Sequence, residues 1–375
     1  MTAKNKTVQW VRLGDYIEEC DERNVEGRPF PFYGINKEKM FMPTVADTNQ
    51  LDNSRYKVVG QGVFVFSGMQ TGRDQCIRLA LRVDNSPVLI SPAYTTFRIK
   101  DEDKLLHEYI FIFFKRKEMD RYGAFLSDGS IRSNLDWDRF CDIRIPLPSL
   151  EVQRELVDTY TGLQCLAEDN EALIAPLTEA CQAFIVDCQK KYPMVKLGDY
   201  IKECDERNTE GKYTLDDVRG MTITKEVIPT KANLKDNDLS KFKVVYPQEF
   251  IYNPRTHGKK IGLGFNKTNK AFIISWNNIA FRVLGRNILL PEYLFILFCR
   301  DEWDRNACFR SWGSSTEVFD WKALGETVIS LPPLEVQESI VNLYHCIEEA
   351  RKIAREARAQ LQNLCPALIQ YAEHN

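Results

Sequence analysis

Two loops carry the side chains best suited to recognition. "NPRTHGKKIGLG", beginning at Asn253, offers Arg255, His257, Lys259 and Lys260 between two β-type runs. "SGMQTGRDQC", beginning at Ser67, offers Gln70, Thr71 and Arg73 in a similar setting. A second pair, "LSDGSIRSN" and "SWGSSTEVF", supplies Ser130 and Arg132 in one and Ser314 and Thr316 in the other. Cationic loops on a rigid globule suit phosphate contacts, and Arg, Gln and Asn can pair bidentately with base edges in the major groove. The charge around them has the matching sign. Phe250 to Pro291 holds seven Lys or Arg and no Asp or Glu, and Asn53 to Lys100 holds seven against Asp74 and Asp84. Double-stranded DNA is the ligand these loops imply.

Bond-making chemistry is not legible. "IYNPRT" at Ile251 has Arg255 where the Asn-Pro-Pro-aromatic motif of amino-methyltransferases needs its second proline. "GLG" at Gly262 lacks the third glycine of a dinucleotide fingerprint, and no P-loop or His-Glu-x-x-His is present. The four histidines (His107, His257, His345 and His374) form no ligand spacing, and none of the eleven cysteines pairs as Cys-x-x-Cys. A non-catalytic recognition module with no bound metal or cofactor is the expectation.

The chain has 375 residues, 44% hydrophobic and 27% charged, with a net charge of −3. This is enough for two domains with connectors. No apolar run approaches the roughly 20 residues of a membrane-spanning helix. "MTAKNKTVQW" lacks the apolar core of a signal peptide. A cytoplasmic location without membrane attachment is therefore expected.

The elements that must position the loops come in duplicate. Val11–Asn24 and Val195–Asn208 are identical at twelve of fourteen positions, 184 residues apart. At the same offset Asp120-Arg121 matches Asp304-Arg305, Gly129-Ser130 matches Gly313-Ser314, Asp136-Trp137 matches Asp320-Trp321, and "PSLEVQ" from Pro148 matches "PPLEVQ" from Pro332. The chain is two tandem units. Their middles, 25–108 and 209–292, share little beyond "KVV" at Lys57 and Lys243. A common frame with two different fillings points to two reading heads.

Short β-branched and aromatic runs fill each middle: "GVFVFS", "CIRLALRV" and "TTFRI", then "EFIYN", "KAFIIS" and "NIAFRV". One helix is expected over "LLHEYIFIFFKRKEMDR" and one over "LPEYLFILFCRDEWDR". A long helix follows each globule. Leu156, Leu163, Asn170, Leu177 and Phe184 recur every seven residues in the first, and Ile340, Ile347, Ala354, Leu361 and Leu368 in the second. Such spacing predicts helices packed along their length, with Leu156, Leu163, Leu177, Ile340, Ile347 and Leu361 at the contact. Pro176 should kink or break the first. The expected fold is α+β, with globules at 1–150 and 191–333 and spacer helices at 151–190 and 334–375. An approximate twofold axis would make those helices antiparallel and bring the chain ends together. A helix of about 35 residues is about 50 Å long, against about 34–36 Å for a turn of DNA.

These openings, joints and alternation of globule and helix resemble the specificity (S) subunits of type I restriction–modification systems over nearly the whole chain. The carriers are "V(R/K)LGDYI", "IPLPSLEVQRELV" and "ISLPPLEVQESIV". The resemblance implies that each globule is a target-recognition domain reading half of an asymmetric bipartite site, and that the helices set the gap and dock two methyltransferase (M) subunits. It also implies restriction–translocase (R) subunits, with S-adenosylmethionine, ATP and Mg bound by those partners only. Two rivals are the recognition portion of a fused methyltransferase–nuclease and a protein-binding scaffold.

Overall fold

The computed structural model describes residues 8–45, 47, 51–234, 237–257, 260–313 and 317–374, with side chains omitted at 256, 257 and 363–374. It divides into two compact units: Met1–Asn170 with Ile353–Asn375, and Glu171–Lys352. Each unit contains one globule and a part of each long helix.

The globule of the first unit is built on an antiparallel sheet in the order Ile17–Glu19, Thr95–Ile99, Phe64–Ser67, Arg78–Leu81. That of the second has Ile201–Cys204, Ile279–Val283, Phe250–His257, Lys260–Phe265 in the same order. Three two-stranded pairs surround each sheet in matching fashion. The strands alternate residues between two faces. Phe64 and Phe97 stack at 4.8 Å in one core, and Phe250 and Phe281 at 4.9 Å in the other. The dissimilar middles are therefore the same fold. The identity is hidden because only residue type, aromatic or β-branched and inward-facing, is common to both.

The repeated "LGDYI(E/K)ECDERN" belongs to the frame. Leu13 and Leu197 are wholly buried, and their N–H groups donate to the carbonyls of Ile143 and Thr327 at 2.9 and 2.8 Å. Asp21 holds the buried ammonium of Lys57 at 3.2 Å, and Asp205 holds that of Lys243 at 3.1 Å. Arg23 and Arg207 each donate to a backbone carbonyl, of Arg55 and Lys241, at 2.8 Å. Lys57, one of the seven basic residues of Asn53–Lys100, thus neutralises a carboxylate of its own globule.

The "LEVQ" joint is equally structural. Gln153 is wholly buried, donates to the carbonyls of Lys104 and Pro148, and accepts from the N–H of Leu106 at 2.9 Å. Gln337 makes the same three bonds to Ile288, Pro332 and Leu290. These bonds seat each long helix on its globule. Gln337→Ala leaves three buried backbone groups unsatisfied and should destabilise by about 2–4 kcal/mol, measured by denaturant unfolding. A loss under about 0.5 kcal/mol would show that water replaces the amide.

Each expected single helix is in fact two: His107–Phe114 then Lys117–Leu126, and Pro291–Phe298 then Asp301–Arg310. Arg116 and Arg300 are extended (ψ 140° and 141°), which breaks the helical hydrogen-bond ladder and re-aims the second segment. The first long helix, Leu150–Lys191, runs through Pro176 without a break. The carbonyl of Ala172 loses its N–H partner there, a cost of about 3 kcal/mol. Ile174 and Leu177 offset it by packing on the core of the second unit. Ile340, Ile347, Ala354 and Leu361 are all buried along the second long helix, Leu334–His374. Leu156 is buried, whereas Leu163 and Leu177 are half-buried. Ser149 precedes the first helix, with its hydroxyl 3.5 Å from the N–H of Val152.

One buried carboxyl breaks the duplication. Glu249, at the position of Val63 in the first unit, accepts from the N–H of Tyr246 at 2.8 Å and from the Cys204 thiol at 3.3 Å. Burial pushes the Glu249 carboxyl up, and burial followed by Glu249 pushes the Cys204 thiol up to about 12. The folded state then holds this carboxyl proton more tightly than the unfolded state. Stability falls as pH rises from the ordinary carboxylate range through the higher folded one. Glu249→Gln should raise the melting temperature at pH 7 and leave it unchanged at pH 4. A variant that melts lower at both would contradict this.

Candidate nucleic-acid interface

In the first unit the two candidate loops form one platform. The N–H of Gln70 donates to Asn134 Oδ1 (3.1 Å), the N–H of Gly72 to the carbonyl of Ser133 (3.0 Å), and the N–H of Leu135 to the carbonyl of Gly68 (2.9 Å). Gly68 is where the loops approach most closely: a Cβ there would lie 1.7 Å from the carbonyl oxygen of Leu135. Asp128 organises the second loop by accepting from the N–H groups of Ser130 and Asn134 and from the Ser130 hydroxyl, 2.6 Å away. The Ser130 hydroxyl, with those N–H groups, holds the Asp128 carboxyl below the ordinary range.

Arg73, Ser130 and Arg132 are exposed on this platform and Gln70 is half-buried. Arg73 lies 3.6 Å from Asp74. Thr71 is wholly buried and its hydroxyl donates to the carbonyl of Gly68 at 3.0 Å, so it supports the turn from inside and does not present its side chain outward. Met69 and Ile131 are exposed beside these polar groups, and as apolar residues they add nothing to the charge pattern of the loops.

The second unit joins the corresponding loops by other means. Arg255 bridges Val318, and the N–H of Phe319 donates to the carbonyl of Pro254 at 2.7 Å. Arg255 is exposed, and its N–H donates to Asn253 Oδ1. Lys260 is exposed and turns toward Asp301, 3.5 Å away. Lys259, Ser314 and Thr316 lie outside the described residues, as does the side chain of His257. Trp312 is exposed next to this junction.

The two platforms differ in backbone. After Ser67 the first unit makes a helical turn, Thr71–Asp74, entered and left through left-handed residues Gln70 (φ 61°) and Gln75 (φ 48°). The second unit instead extends both strands into a long hairpin, Phe250–His257 with Lys260–Phe265, with a register shift between Tyr252 and Thr256. The frame is common, and the exposed ends are built differently.

Comparison with solved structures bears on this architecture. The S subunit of a type I restriction–modification system from M. genitalium matches with a TM-score of 0.59 at 11% identity, over 99% of this chain and 98% of that one. The chain has the S-subunit fold. The HsdS subunit from Thermoanaerobacter tengcongensis matches at 19% identity over 99% and 97% of the two chains, with a TM-score of 0.42. No protein-family model matches, and no curated protein matches by sequence. Among the described residues no group of His, Cys, Asp or Glu could hold a metal ion, and no helix is long and apolar enough to cross a membrane.

Proposed function

We propose that the chain is the DNA-specificity subunit of a type I restriction–modification complex. One observation carries the reading: a chain with the S-subunit fold presents two copies of one frame whose joined loops end in a helical turn in one copy and an extended hairpin in the other. Identical frames dock alike, and different loops read different bases. The half-sites therefore differ and the target is asymmetric. Residues 1–150 read one half and 191–333 the other. Gln70, Arg73, Ser130 and Arg132 contact one half-site, with Arg255, His257, Lys259, Lys260, Ser314 and Thr316 at the other. The long helices set the gap.

The chain performs no chemistry itself. It directs two methyltransferase subunits, which use S-adenosylmethionine, and restriction subunits, which use ATP and Mg, in the cytoplasm. Exchanging residues 25–108 for another filling should change one half-site only, read by mapping methylated positions. A change in both halves would refute the two-head reading. Affinity for duplex DNA should fall with salt, with a log–log slope of about −0.9 per phosphate contact. A salt-independent affinity would favour a protein scaffold.

A further inference from the structure

Phe111 and Tyr160 in the first unit have counterparts in Phe295 and Tyr344, 184 residues on. Each pair joins a globule to its long helix. The phenylalanine sits on a short helix, His107–Phe114 or Pro291–Phe298, and the tyrosine on Leu150–Lys191 or Leu334–His374. An ammonium lies over both rings of each pair. Lys115 Nζ is 4.6 Å from the ring centre of Phe111 and 5.0 Å from that of Tyr160, and it donates to Tyr160 Oη at 3.1 Å. Lys267 Nζ is 4.5 Å from the ring centre of Phe295 and 5.7 Å from that of Tyr344.

The two lysines are not counterparts. Lys115 follows the short helix, and its position in the second unit is held by Cys299. Lys267 follows strand Lys260–Phe265, and its position in the first unit is held by Val83. The rings are repeated in place, while the cation over them comes from a different element in each unit. Chance placement of a surface lysine would not return to the same two rings from another part of the chain. A cation over two ring faces attracts both, so the repeated feature is the clamp and not the residue that supplies it.

The place of the clamp gives it a use. Gln153 and Gln337 seat the first turn of each long helix. Tyr160 and Tyr344 lie seven residues further on, about 10 Å along the axis. One attachment fixes the origin of a helix and leaves it free to swing, and a second attachment fixes its direction. A swing of about 5° carries the far end of the 42-residue first helix, about 60 Å away, by about 5 Å. That exceeds the spacing of base pairs, about 3.4 Å.

We infer that Lys115 and Lys267 are positioning residues for the gap: each holds its globule at one angle to its long helix, so that the chain accepts one distance between half-sites. The inference rests on the proposed function and assigns gap selectivity to residues outside the reading loops.

DNA-binding titrations of the full chain in complex with the methyltransferase subunit of its own system test this. The duplexes carry the target mapped by methylation, or the same halves with one base pair added to or removed from the gap. Lys115→Met with Lys267→Met keeps both stems and removes both charges. It should cut the preference for the natural gap about threefold to tenfold, with discrimination against a mismatched base in either half as before. Lys115→Arg with Lys267→Arg should keep the preference. Adding Val83→Lys to Lys115→Met moves the first ammonium to the place it has in the second unit, and should recover what Lys115→Met alone loses. An unchanged gap preference in the methionine pair would overturn the inference. So would equal losses for gap and for base mismatch, which would mark the lysines as general packing. If the methionine variants melt early, Val83→Lys decides: a regained melting temperature without regained gap preference would overturn the inference. An unsubstituted chain that reads no bipartite target, or accepts any gap, would overturn the proposed function with it.

Discussion

Asp304→Ala should lower the stability of the second unit by about 3–5 kcal/mol. The reason is a buried ion pair that occurs once in each globule. Lys225 Nζ lies 2.6 Å from Asp304 Oδ1, with side chains only 4% and 8% exposed, and also donates to the carbonyl of Ile261 at 2.8 Å. The N–H of Ile261 donates back to Asp304. In the first unit Lys39, Asp120 and Ile77 repeat the arrangement at 2.7 Å for the pair and 2.6 Å for the carbonyl. Both lysines sit at hairpin tips in left-handed backbone, φ 62° and 66°. That conformation costs about 1–2 kcal/mol in a non-glycine residue. The pair offsets this by pinning a hairpin tip to the sheet and to the helix beyond. Removing Asp304 leaves an ammonium buried without its counter-ion. Asp120→Ala should cost less, because Asp120 is 21% exposed and water can reach the site. Lys225→Met with Asp304→Asn should recover part of the loss. Denaturant unfolding of the three variants measures this. A loss under about 1 kcal/mol for Asp304→Ala would mean that the ammonium escapes to solvent.

Gly68→Ala should cut specific DNA affinity by about 10–100-fold, the size of losing contact with one or two base pairs. The added methyl meets the carbonyl oxygen of Leu135. The bond from the Leu135 N–H to the Gly68 carbonyl, one of three that fasten the two loops of the first platform, must then open. The effect is directional: discrimination at one half-site collapses while the other half-site is read as before. Binding to targets mismatched in each half separates the two. Equal loss of discrimination in both halves, or none in either, would contradict the joined-platform account.

The repeat at 184 residues makes the frame legible, because matches such as Leu13, Asp21 and Gln153 turn out to hold a backbone group or a buried charge. They are kept for that reason, and so are their copies. The fold of the middles is not legible in the same way. A sheet interior asks only for an inward apolar residue, which Phe64, Val65 and Phe66 satisfy as well as Phe250, Ile251 and Tyr252. The split of each expected helix is hidden because apolar spacing continues through Lys115–Lys117 while one extended residue breaks the ladder. Pro176 illustrates the converse: a strong local signal overridden by packing on both sides of it. The loops were legible by charge and amide content, but their fastening through Asn134, Asp128 and Gly68 is long-range and leaves no local pattern. Thr71 carries the right chemistry for a ligand and faces inward. The Lys39–Asp120 and Lys225–Asp304 pairs join hairpin tips to helices about 80 residues away, and only the aspartates fall in an aligned stretch.

The central claim is tested most directly by a methylation map. DNA from cells making this chain with the methyltransferase subunit of its own system is compared with DNA from cells lacking the chain. The account predicts a new methylated motif in two unlike halves separated by a fixed gap. A soluble complex with the methyltransferase and no new motif would contradict it.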